Sequence, residues 1–271
     1  MLTFIFLVTW GLGTILPLII FDLLALEWMT LLYGLITFIA GLIIAIVVIV
    51  IILMTYGRFQ KTYDPMNQRN HAFIDSLIAL VKHILRVKVE VTGEENIPKD
   101  KNFILVSNHQ ENYDIILLKP FFKGRPMVFI AKQSLFNIPL IGRLAKIMGN
   151  VPIYRESDRS AVESIIKGIK IYKQGAIVSI FPEGTRSRQQ SMGPFKAGAF
   201  KLAMKPKADI LVSTLYNVHN VFKWWPFKRQ VIKIHFHPVM TYEDYKDLNT
   251  QALSNHIRDM IQNQIETFNE L

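Results

Sequence analysis

The sequence predicts an α/β domain, built on a mixed sheet flanked by helices and preceded by an N-terminal transmembrane helical hairpin. Two observations support this fold class. The first 56 of the 271 residues contain no Lys or Arg and only two acidic residues, Asp22 and Glu27. Beyond them, short apolar runs alternate with helix-like segments, which is typical of a sheet with helices packed on it.

Two long uncharged stretches, Leu2–Phe21 and Met29–Tyr56, are each predicted to form a membrane-spanning helix. At about 1.5 Å of rise per residue, each is long enough to cross a hydrocarbon core about 30 Å thick. A cleaved signal peptide is the alternative for the first stretch, but that stretch has no basic residues before it and no small-residue cleavage site after it. We therefore expect a hairpin over residues 1–56, followed by a linker at 57–69.

The charges that flank the hairpin predict its orientation. The short connection between the two spans is acidic, whereas Arg58, Lys61 and Arg69 follow the second span. Since Lys and Arg are enriched on the cytoplasmic side of membrane spans, both ends of the hairpin are expected in the cytoplasm. The protein is therefore predicted to be a multi-pass protein of the cell membrane, with the domain at 70–271 on the cytoplasmic side.

The charge of the chain is concentrated in this domain. The whole chain carries a formal charge of +10, and the two acidic residues of the leader leave +12 for residues 57–271. A basic domain favours a nucleic acid, a membrane surface or phosphorylated small molecules as partners, and the predicted spans favour the membrane over a nucleic acid. The chain has no cysteine, which excludes disulfides, thiolate nucleophiles and cysteine-based metal sites.

The domain is predicted to begin with an amphipathic helix and a strand. Apolar residues recur at helical spacing from Asn70 to Arg86, and this stripe either packs against the domain or lies on the bilayer. Valines alternate with polar residues over 87–92, which predicts a half-buried strand that ends at Gly93. Further strands are expected at Phe103–Val106, Met127–Ala131, Val151–Tyr154, Ala176–Phe181, Ile210–Leu215 and Val231–Phe236. The clearest helix is Asp158–Lys173, and a closing helix is expected at Leu248–Phe268.

His109 and Asp114 follow the predicted strand Phe103–Val106 and lie five residues apart. On one continuous helix their side chains would point about 140° apart and could not meet. If His109 lies in the turn and Asp114 in the first turn of the next helix, the imidazole can reach the carboxylate. A carboxylate held at one ring nitrogen leaves the other free to take a proton from a hydroxyl, which predicts a general-base dyad. The alternative is that Asp114 only stabilises a helix N-terminus.

A second polar turn follows the strand Ala176–Phe181. Pro182 ends this strand, Gly184 permits a positive φ, and free N–H groups beside Arg186 would suit an anion. An ordinary polar turn is the alternative. Arg155 ends the strand Val151–Tyr154 and is a second candidate for phosphate, because its planar guanidinium can bind two oxygens at once; a solvated side chain at a strand end is the alternative.

Three blocks of the sequence resemble, in the same order, those of the glycerophospholipid acyltransferases, and most closely those of the bacterial 1-acylglycerol-3-phosphate acyltransferases. The blocks are Asn-His-Gln-Glu-Asn-Tyr-Asp at 108–114, Gly-Asn-Val-Pro-Ile-Tyr-Arg at 149–155 and Phe-Pro-Glu-Gly-Thr-Arg-Ser at 181–187. The resemblance extends over roughly residues 88–215. It implies transfer of a fatty acyl group from a thioester to the 2-hydroxyl of 1-acylglycerol 3-phosphate, giving phosphatidic acid.

The resemblance also implies roles for individual residues and partners. His109 would be the general base and Asp114 the group that orients it. Binding of the lysophospholipid acceptor is implied for Arg155 and for the turn residues Glu183, Gly184, Thr185 and Arg186, and Lys132 would position the phosphate or the developing oxyanion. The acyl donor would be acyl carrier protein or coenzyme A as a thioester, with no metal or other cofactor.

One departure from the family pattern leaves the acceptor open. The fourth block of the family usually carries a proline in its strand, whereas this chain has Ile210–Leu215 without one. Glycerol 3-phosphate or another lysophospholipid is therefore an alternative acceptor. A silent, membrane-anchored lipid-binding scaffold is the alternative from another class of protein, although such a protein would not need His109, Asp114, Glu183 and Arg186 together.

Two further features of the sequence are candidate binding sites. His235 and His237 share one face of a predicted strand, but no third ligand lies near them, so no metal site is expected. The segment Phe222–Arg229 combines aromatic and basic residues, a mixture favoured at lipid headgroups. This segment either docks on the bilayer or buries a pair of tryptophans.

Overall fold

The computed structural model describes residues 1–20, 28–59, 63–85, 87–154, 158–223, 227 and 230–270. The chain forms two compact units, Met1–Thr62 and Tyr63–Leu271. The acidic connection between the predicted spans lies outside the described residues.

The first unit is a pair of apolar helices, α1 (Leu2–Ile20) and α2 (Trp28–Phe59). Both are long and apolar enough to cross a membrane, with a mean hydropathy of 2.0 over Leu2–Ile19 and 3.4 over Leu31–Phe59. A Cβ atom placed on Gly13 would lie 2.9 Å from the Cα of Gly41, so the backbones approach closely because neither residue has a side chain. This arrangement is consistent with the predicted hairpin.

The second unit contains a seven-stranded sheet and several helices. The strands are β1 (Lys88–Thr92), β2 (Ile104–Ser107), β3 (Met127–Lys132), β4 (Val151–Ile153), β5 (Ile177–Ile180), β6 (Ile210–Tyr216) and β7 (Val231–Phe236). The helices are α3 (Gln68–Leu85), α4 (Asp114–Leu118), α5 (Ile141–Ile147), α6 (Asp158–Lys173), α7 (Lys201–Met204), α8 (Tyr242–Tyr245) and α9 (Thr250–Glu270).

The sheet is mixed, with the strand order β1-β7-β6-β2-β5-β3-β4. Strands β6, β2, β5, β3 and β4 are parallel, β7 is antiparallel to β6, and β1 is parallel to β7. Val106 of β2 lies opposite Ile180 of β5, so the turns that follow these two strands leave the same edge of the sheet side by side. The predicted mixed α/β fold is confirmed.

The core surrounds the central strands, because every residue of β2 and β5 is buried. Helix α9 packs on β6 and adds to this core residues that recur every four positions, Leu253, Ile257, Ile261 and Ile265. Helix α3 also packs against the domain: Phe73, Ile74 and Ile78 are buried, and the carboxylate of Asp75 forms a buried ion pair with Lys119. Packing on the domain is therefore the correct alternative for this amphipathic stripe.

Part of the predicted linker 57–69 lies within these elements. Helix α2 continues to Phe59, and the second unit begins at Tyr63. A ring nitrogen of His71 donates to the carbonyl oxygen of Pro65 at 2.8 Å, and Met66 packs against the hydrophobic core. These contacts attach the residues before α3 to the second unit.

Candidate active site

His109 and Asp114 meet across the turn between β2 and α4. The Nδ1 atom of His109 lies 2.7 Å from the Oδ2 atom of Asp114, the first residue of α4. The same oxygen accepts the backbone N–H groups of Gln110 and Glu111 at 2.8 and 3.1 Å. The carboxylate therefore holds the imidazole and the backbone of the turn together.

The surroundings fix which nitrogen of His109 can act as a base. Because a carboxylate only accepts, Nδ1 carries the hydrogen and Nε2 keeps its lone pair. Asp114 is fully buried, and burial raises the pKa of its carboxyl, while hydrogen bonds from His109, Glu111 and Gln110 oppose this rise. The imidazole stacks on the ring of Phe181 with centroids 4.2 Å apart and planes 15° apart, which fixes its orientation.

Glu183 supports the turn that carries His109. Its Oε1 accepts the backbone N–H of His109 at 2.7 Å, and its Oε2 accepts that of Gly193 at 2.8 Å. The residue is 5% exposed, and burial raises the pKa of its carboxyl while the two N–H groups oppose the rise. Both oxygens are thus used to position backbone, and Glu183 does not line the cleft beside His109.

The second turn uses three of its own N–H groups inside the protein. The N–H of Ser187 donates to the carbonyl oxygen of His109 at 2.8 Å, and that of Arg188 donates to the carbonyl oxygen of Gln110 at 3.2 Å. The N–H of Gly184, which has a φ of 69°, donates to Phe181. The expectation of free N–H groups is wrong for these three residues, because they join the turn to itself and to its neighbour.

A cleft of about 540 Å³ opens beside His109. Three cations line it, Lys132 at the end of β3 and Arg186 and Arg188 in the second turn, and Thr185 lies there too. None of the described residues that line the cleft is acidic. Apolar residues complete the wall: Ile115, Phe129, Ile130, Ala131, Leu135, Ile138 and Phe181. The cleft therefore combines an imidazole with a positive, partly apolar wall, which suits an anionic lipid.

Arg188 is a site residue that the sequence interpretation missed. It lines the cleft two positions after Arg186, in a left-handed conformation with a φ of 55°. The only local signal is a second arginine in the same turn. Arg186 itself is held from outside the turn, since its guanidinium lies 3.4 Å from the carboxylate of Glu111.

The roles predicted for several residues stay predictions, because these residues lie outside the described part of the chain. Arg155 lies outside the described residues, so its phosphate-binding role stays a prediction. Residues 224–226 and 228–229 are also outside them, so docking by Phe222–Arg229 stays a prediction as well. His235 and His237 each share a hydrogen bond of 2.8 Å with a threonine, Thr92 and Thr214 respectively.

A second, more apolar cavity lies beyond the wall of the cleft. Its volume is about 400 Å³, and it shares Ile130 and Phe181 with the cleft. Its other apolar lining residues are Ile153, Ala161, Val162, Ile165, Ile166, Ile180, Pro182 and Ala199. Gly184 borders this cavity and not the cleft.

Comparison with known proteins relates this site to a family. The family described as acyltransferase matches residues 88–218. A 1-acyl-sn-glycerol-3-phosphate acyltransferase of Borreliella burgdorferi is 38% identical over 183 residues, which cover 67% of this chain and 73% of that protein. The protein with the same description from Salmonella typhimurium is 26% identical over 224 residues, covering 82% of this chain and 91% of that one.

A chloroplastic relative and a solved structure extend the comparison. The 1-acyl-sn-glycerol-3-phosphate acyltransferase BAT2 of Brassica napus is 36% identical over 179 residues, but this chain spans only 52% of its length. The crystal structure of the 1-acyl-sn-glycerophosphate acyltransferase PlsC from Thermotoga maritima superposes with a TM-score of 0.58 at 23% identity. The superposition covers 80% of this chain and 87% of that one, which shows a common fold.

Proposed function

This chain belongs to the acyltransferase family, and on that basis we propose that it transfers a fatty acyl group from a thioester to the 2-hydroxyl of 1-acylglycerol 3-phosphate. The product is phosphatidic acid. The observation that carries the proposal is the contact of 2.7 Å between His109 and Asp114 at the mouth of a cleft lined by three cations. The names of the relatives from Borreliella burgdorferi and Salmonella typhimurium support this acceptor.

The dyad would supply general-base catalysis without an enzyme nucleophile. The Nε2 atom of His109 takes the proton of the acceptor hydroxyl as its oxygen attacks the thioester carbonyl carbon. Asp114 stabilises the imidazolium that forms, as its hydrogen bond to Nδ1 favours. The carbon–sulfur bond then breaks, and the thiolate leaves and receives the proton from His109. Since a thioester is already activated, this sequence of steps requires neither a metal nor a resident cofactor.

The cations of the cleft would bind the phosphate of the acceptor. Arg186 and Arg188 offer planar guanidinium groups that can each contact two phosphate oxygens, and Lys132 adds a third positive charge. Phosphate binding by Arg155 is also part of the proposal, and it rests on the resemblance to the family. Glu183 acts through the backbone of His109 and Gly193, so its contribution to acceptor binding is indirect.

The apolar cavity beyond Phe181 is the place proposed for an acyl chain. It adjoins the cleft through Ile130 and Phe181, and its apolar wall includes four residues of α6. Three lysines, Lys196, Lys201 and Lys205, line another part of it. Burial of methylene groups there would be favourable by about 0.8 kcal/mol each. The donor is proposed to be acyl carrier protein or acyl-coenzyme A, since either acidic partner suits the basic domain.

We further propose that α1 and α2 span the cell membrane and hold the second unit on its cytoplasmic side. Their length and hydropathy support spanning, and Arg58 in the last turn of α2 and Arg69 after it support the orientation. Because the chain has no cysteine, Asn263→Cys would be its single labelling site. A membrane-impermeant maleimide should label it only after the cells are permeabilised, and labelling in intact cells would contradict the orientation.

The central experiment compares the wild type with His109→Ala in detergent and in vesicles. We expect conversion of lysophosphatidic acid to phosphatidic acid with at least one of the two donors, and a loss of about 10²–10⁴-fold in the variant because the base is gone. Activity that survives in His109→Ala would contradict the mechanism. Glycerol 3-phosphate and other lysophospholipids serve as competing acceptors, and a preference for one of them would move the proposal to that acceptor. No turnover with any acceptor would favour the silent scaffold.

A further inference from the structure

The segment Asn137–Arg143, here named the rim loop, ends in the first turn of α5 and has an unusual backbone. The N–H of Ile141 donates to the carbonyl oxygen of Pro139 at 2.7 Å, and Leu140 between them has a φ of 64° and a ψ of −56°. These angles define a γ-turn with positive φ, a rare and strained conformation for a bulky residue. Strain of this kind persists where the surroundings enforce it, and it is concentrated at functional sites.

Neighbouring residues hold the strained backbone of the rim loop in place. The N–H of Gly142 donates to the carbonyl oxygen of Ile138 at 2.8 Å, and that of Leu144 donates to Leu140 at 2.9 Å. A Cβ atom at Gly142 would lie 2.2 Å from the carbonyl oxygen of Phe136, so only glycine fits there. The turn is therefore a fixed part of the fold.

The apolar side chains on either side of the γ-turn are exposed at the surface of the protein. Ile138 is 45% exposed, Ile141 is 48% exposed, and Pro139 between them is exposed as well. Contiguous exposed apolar residues on a folded domain indicate a surface that meets another apolar phase or partner.

The position of the rim loop indicates that this phase is the bilayer. Ile138 lines the cleft that contains His109, so the loop forms part of the border of that cleft. If the acceptor is a lysophospholipid, as proposed above, its acyl chain lies in the bilayer while its headgroup enters the cleft. An apolar border then meets the bilayer at the place where the substrate leaves it.

The charges around the rim loop fit the same partner. Arg143 and Lys146 follow the γ-turn and are exposed, and Lys132 is exposed at the cleft. Tyr63 and Lys146 line a shallow hollow together with the loop. An apolar tip surrounded by basic and aromatic residues is typical of segments that lie at the interface of anionic membranes.

We propose that the rim loop inserts Ile138 and Ile141 into the headgroup region of the bilayer while Arg143 and Lys146 contact anionic lipid phosphates. This inference rests on the proposed function for its choice of partner. It adds a second membrane contact, within the catalytic domain, to the helices α1 and α2.

The test uses the full chain, which has no native cysteine. Ile138→Cys, Ile141→Cys and the control Asn263→Cys on α9 are each labelled with an environment-sensitive fluorophore and reconstituted into phosphatidylcholine–phosphatidylglycerol vesicles. Lipids spin-labelled near the headgroup should quench the two loop positions about two-fold or more, as expected for interfacial side chains, and leave the exposed position 263 unchanged. Equal quenching at positions 141 and 263 would overturn the proposal. The proposal would also be overturned if the spin-labelled lipids did not quench the loop positions and their fluorescence changed only when a second copy of the chain or acyl carrier protein was added.

A kinetic measurement separates this inference from the proposed function. Ile141→Ser should raise the KM for acceptor presented in vesicles by about ten-fold, because interfacial binding scales with buried apolar area. The rate with a short-chain, water-soluble acceptor should not change, and Ile141→Leu should behave as the wild type. An equal loss with both acceptors would contradict the proposal. The fluorescence result does not depend on turnover, so it stands even if the acceptor proves to be another lipid.

Discussion

Glu183 accepts two backbone hydrogen bonds from segments that are far apart in sequence, at His109 and at Gly193. Each oxygen of its buried carboxylate receives one N–H group. The two N–H groups stabilise the charge of the carboxylate, and the carboxylate is the acceptor for both of them. Loss of one oxygen should therefore disturb the backbone that carries His109.

We expect Glu183→Gln to lower both stability and turnover. An amide presents only one acceptor oxygen, so one buried N–H group would face an NH₂ group, at a cost of about 1–3 kcal/mol. The kcat should fall while the KM for the acceptor changes little, because the side chain does not line the cleft. Thermal unfolding and steady-state kinetics measure both effects. Glu163→Gln, at an exposed position on α6, is the matched control and should change little. A higher acceptor KM with unchanged stability would instead indicate direct contact with substrate.

His237 provides a prediction about pH. Burial lowers the pKa of its imidazole to about 4, and the neighbouring His235 adds to this effect. Between pH 6.5 and about 4 the unfolded chain binds a proton at this ring while the folded protein does not, so stability falls as the pH falls through this window. At about 1.4 kcal/mol per pKa unit, the loss by pH 4 amounts to about 3 kcal/mol.

The variant His237→Gln should reduce this acid sensitivity. Glutamine can keep a hydrogen bond to Thr214, but it does not titrate. We expect its melting temperature to fall less than that of the wild type between pH 6.5 and pH 4, as measured by circular dichroism. Parallel melting curves for the two proteins over this range would exclude His237 as the source of the pH dependence.

At the scale of single elements, α3 depends on a buried ion pair. The Nζ atom of Lys119 lies 2.6 Å from the Oδ1 atom of Asp75 in α3, with side-chain exposures of 0% and 8%. The Oδ2 atom of Asp75 also accepts the N–H of Gly124. Burial lowers the pKa of the Lys119 ammonium, and the carboxylate opposes this effect.

Asp75→Asn should destabilise the domain by about 3–5 kcal/mol, because it leaves a buried ammonium without a counter-charge. The double variant Asp75→Asn with Lys119→Met should recover part of this loss, since it removes the uncompensated charge. Chemical unfolding of the two proteins measures the difference. The exposed pair of Lys246 and Glu243 supplies the control, and Glu243→Gln should cost less than about 1 kcal/mol. Equal stability of the single and double variants would contradict the role assigned to the ion pair.

The helical hairpin depends on the close approach of α1 and α2 at Gly13 and Gly41. A side chain at Gly41 would meet the Oγ1 atom of Thr14 and the carbonyl oxygen of Trp10 within 3 Å. Gly41→Leu should therefore separate the helices and destabilise the pair by about 1–3 kcal/mol. Gly34→Leu is the control, because no atom lies within 4 Å of a Cβ at that position.

The indole of Trp10 reports on this approach, since its N–H donates to the carbonyl oxygen of Phe38 at 3.1 Å. With Trp28, Trp224 and Trp225 replaced by Phe, the emission of Trp10 in detergent should shift in Gly41→Leu and stay unchanged in Gly34→Leu. The same shift in both variants would mean that the helices do not meet at Gly41.

For the whole molecule, the sequence predicts the elements better than their connections. The strands follow from short apolar runs, and the contact of His109 with Asp114 follows from the spacing of five residues across a turn. These features are local. The strand order is not, because it depends on which surfaces bury the most apolar area after the chain has collapsed.

The expectations that the structure corrects also depend on contacts between distant parts of the chain. Ser187 and Arg188 use their N–H groups inside the protein because β5 pairs with β2, which brings together turns more than 70 residues apart in the chain. The attachment of Pro65 and Met66 to the second unit depends on His71 and on the core, so no local pattern in 57–69 predicts it. The resemblance implies acceptor binding for Glu183, and only the position of His109 gives it a buried structural role.

The hydrogen bonds that join the two turns have a consequence for the divergence and redesign of this enzyme. Glu183, Ser187 and Arg188 each contact the backbone of residues 109–110, so neither turn keeps its shape without the other. In a chimera that takes only residues 181–193 from a relative, the turn at residues 108–114 would meet hydrogen-bond partners that come from another protein. Acceptor preference should therefore be exchanged between relatives only as a paired cassette of residues 108–114 and 181–193, with the two segments inherited together.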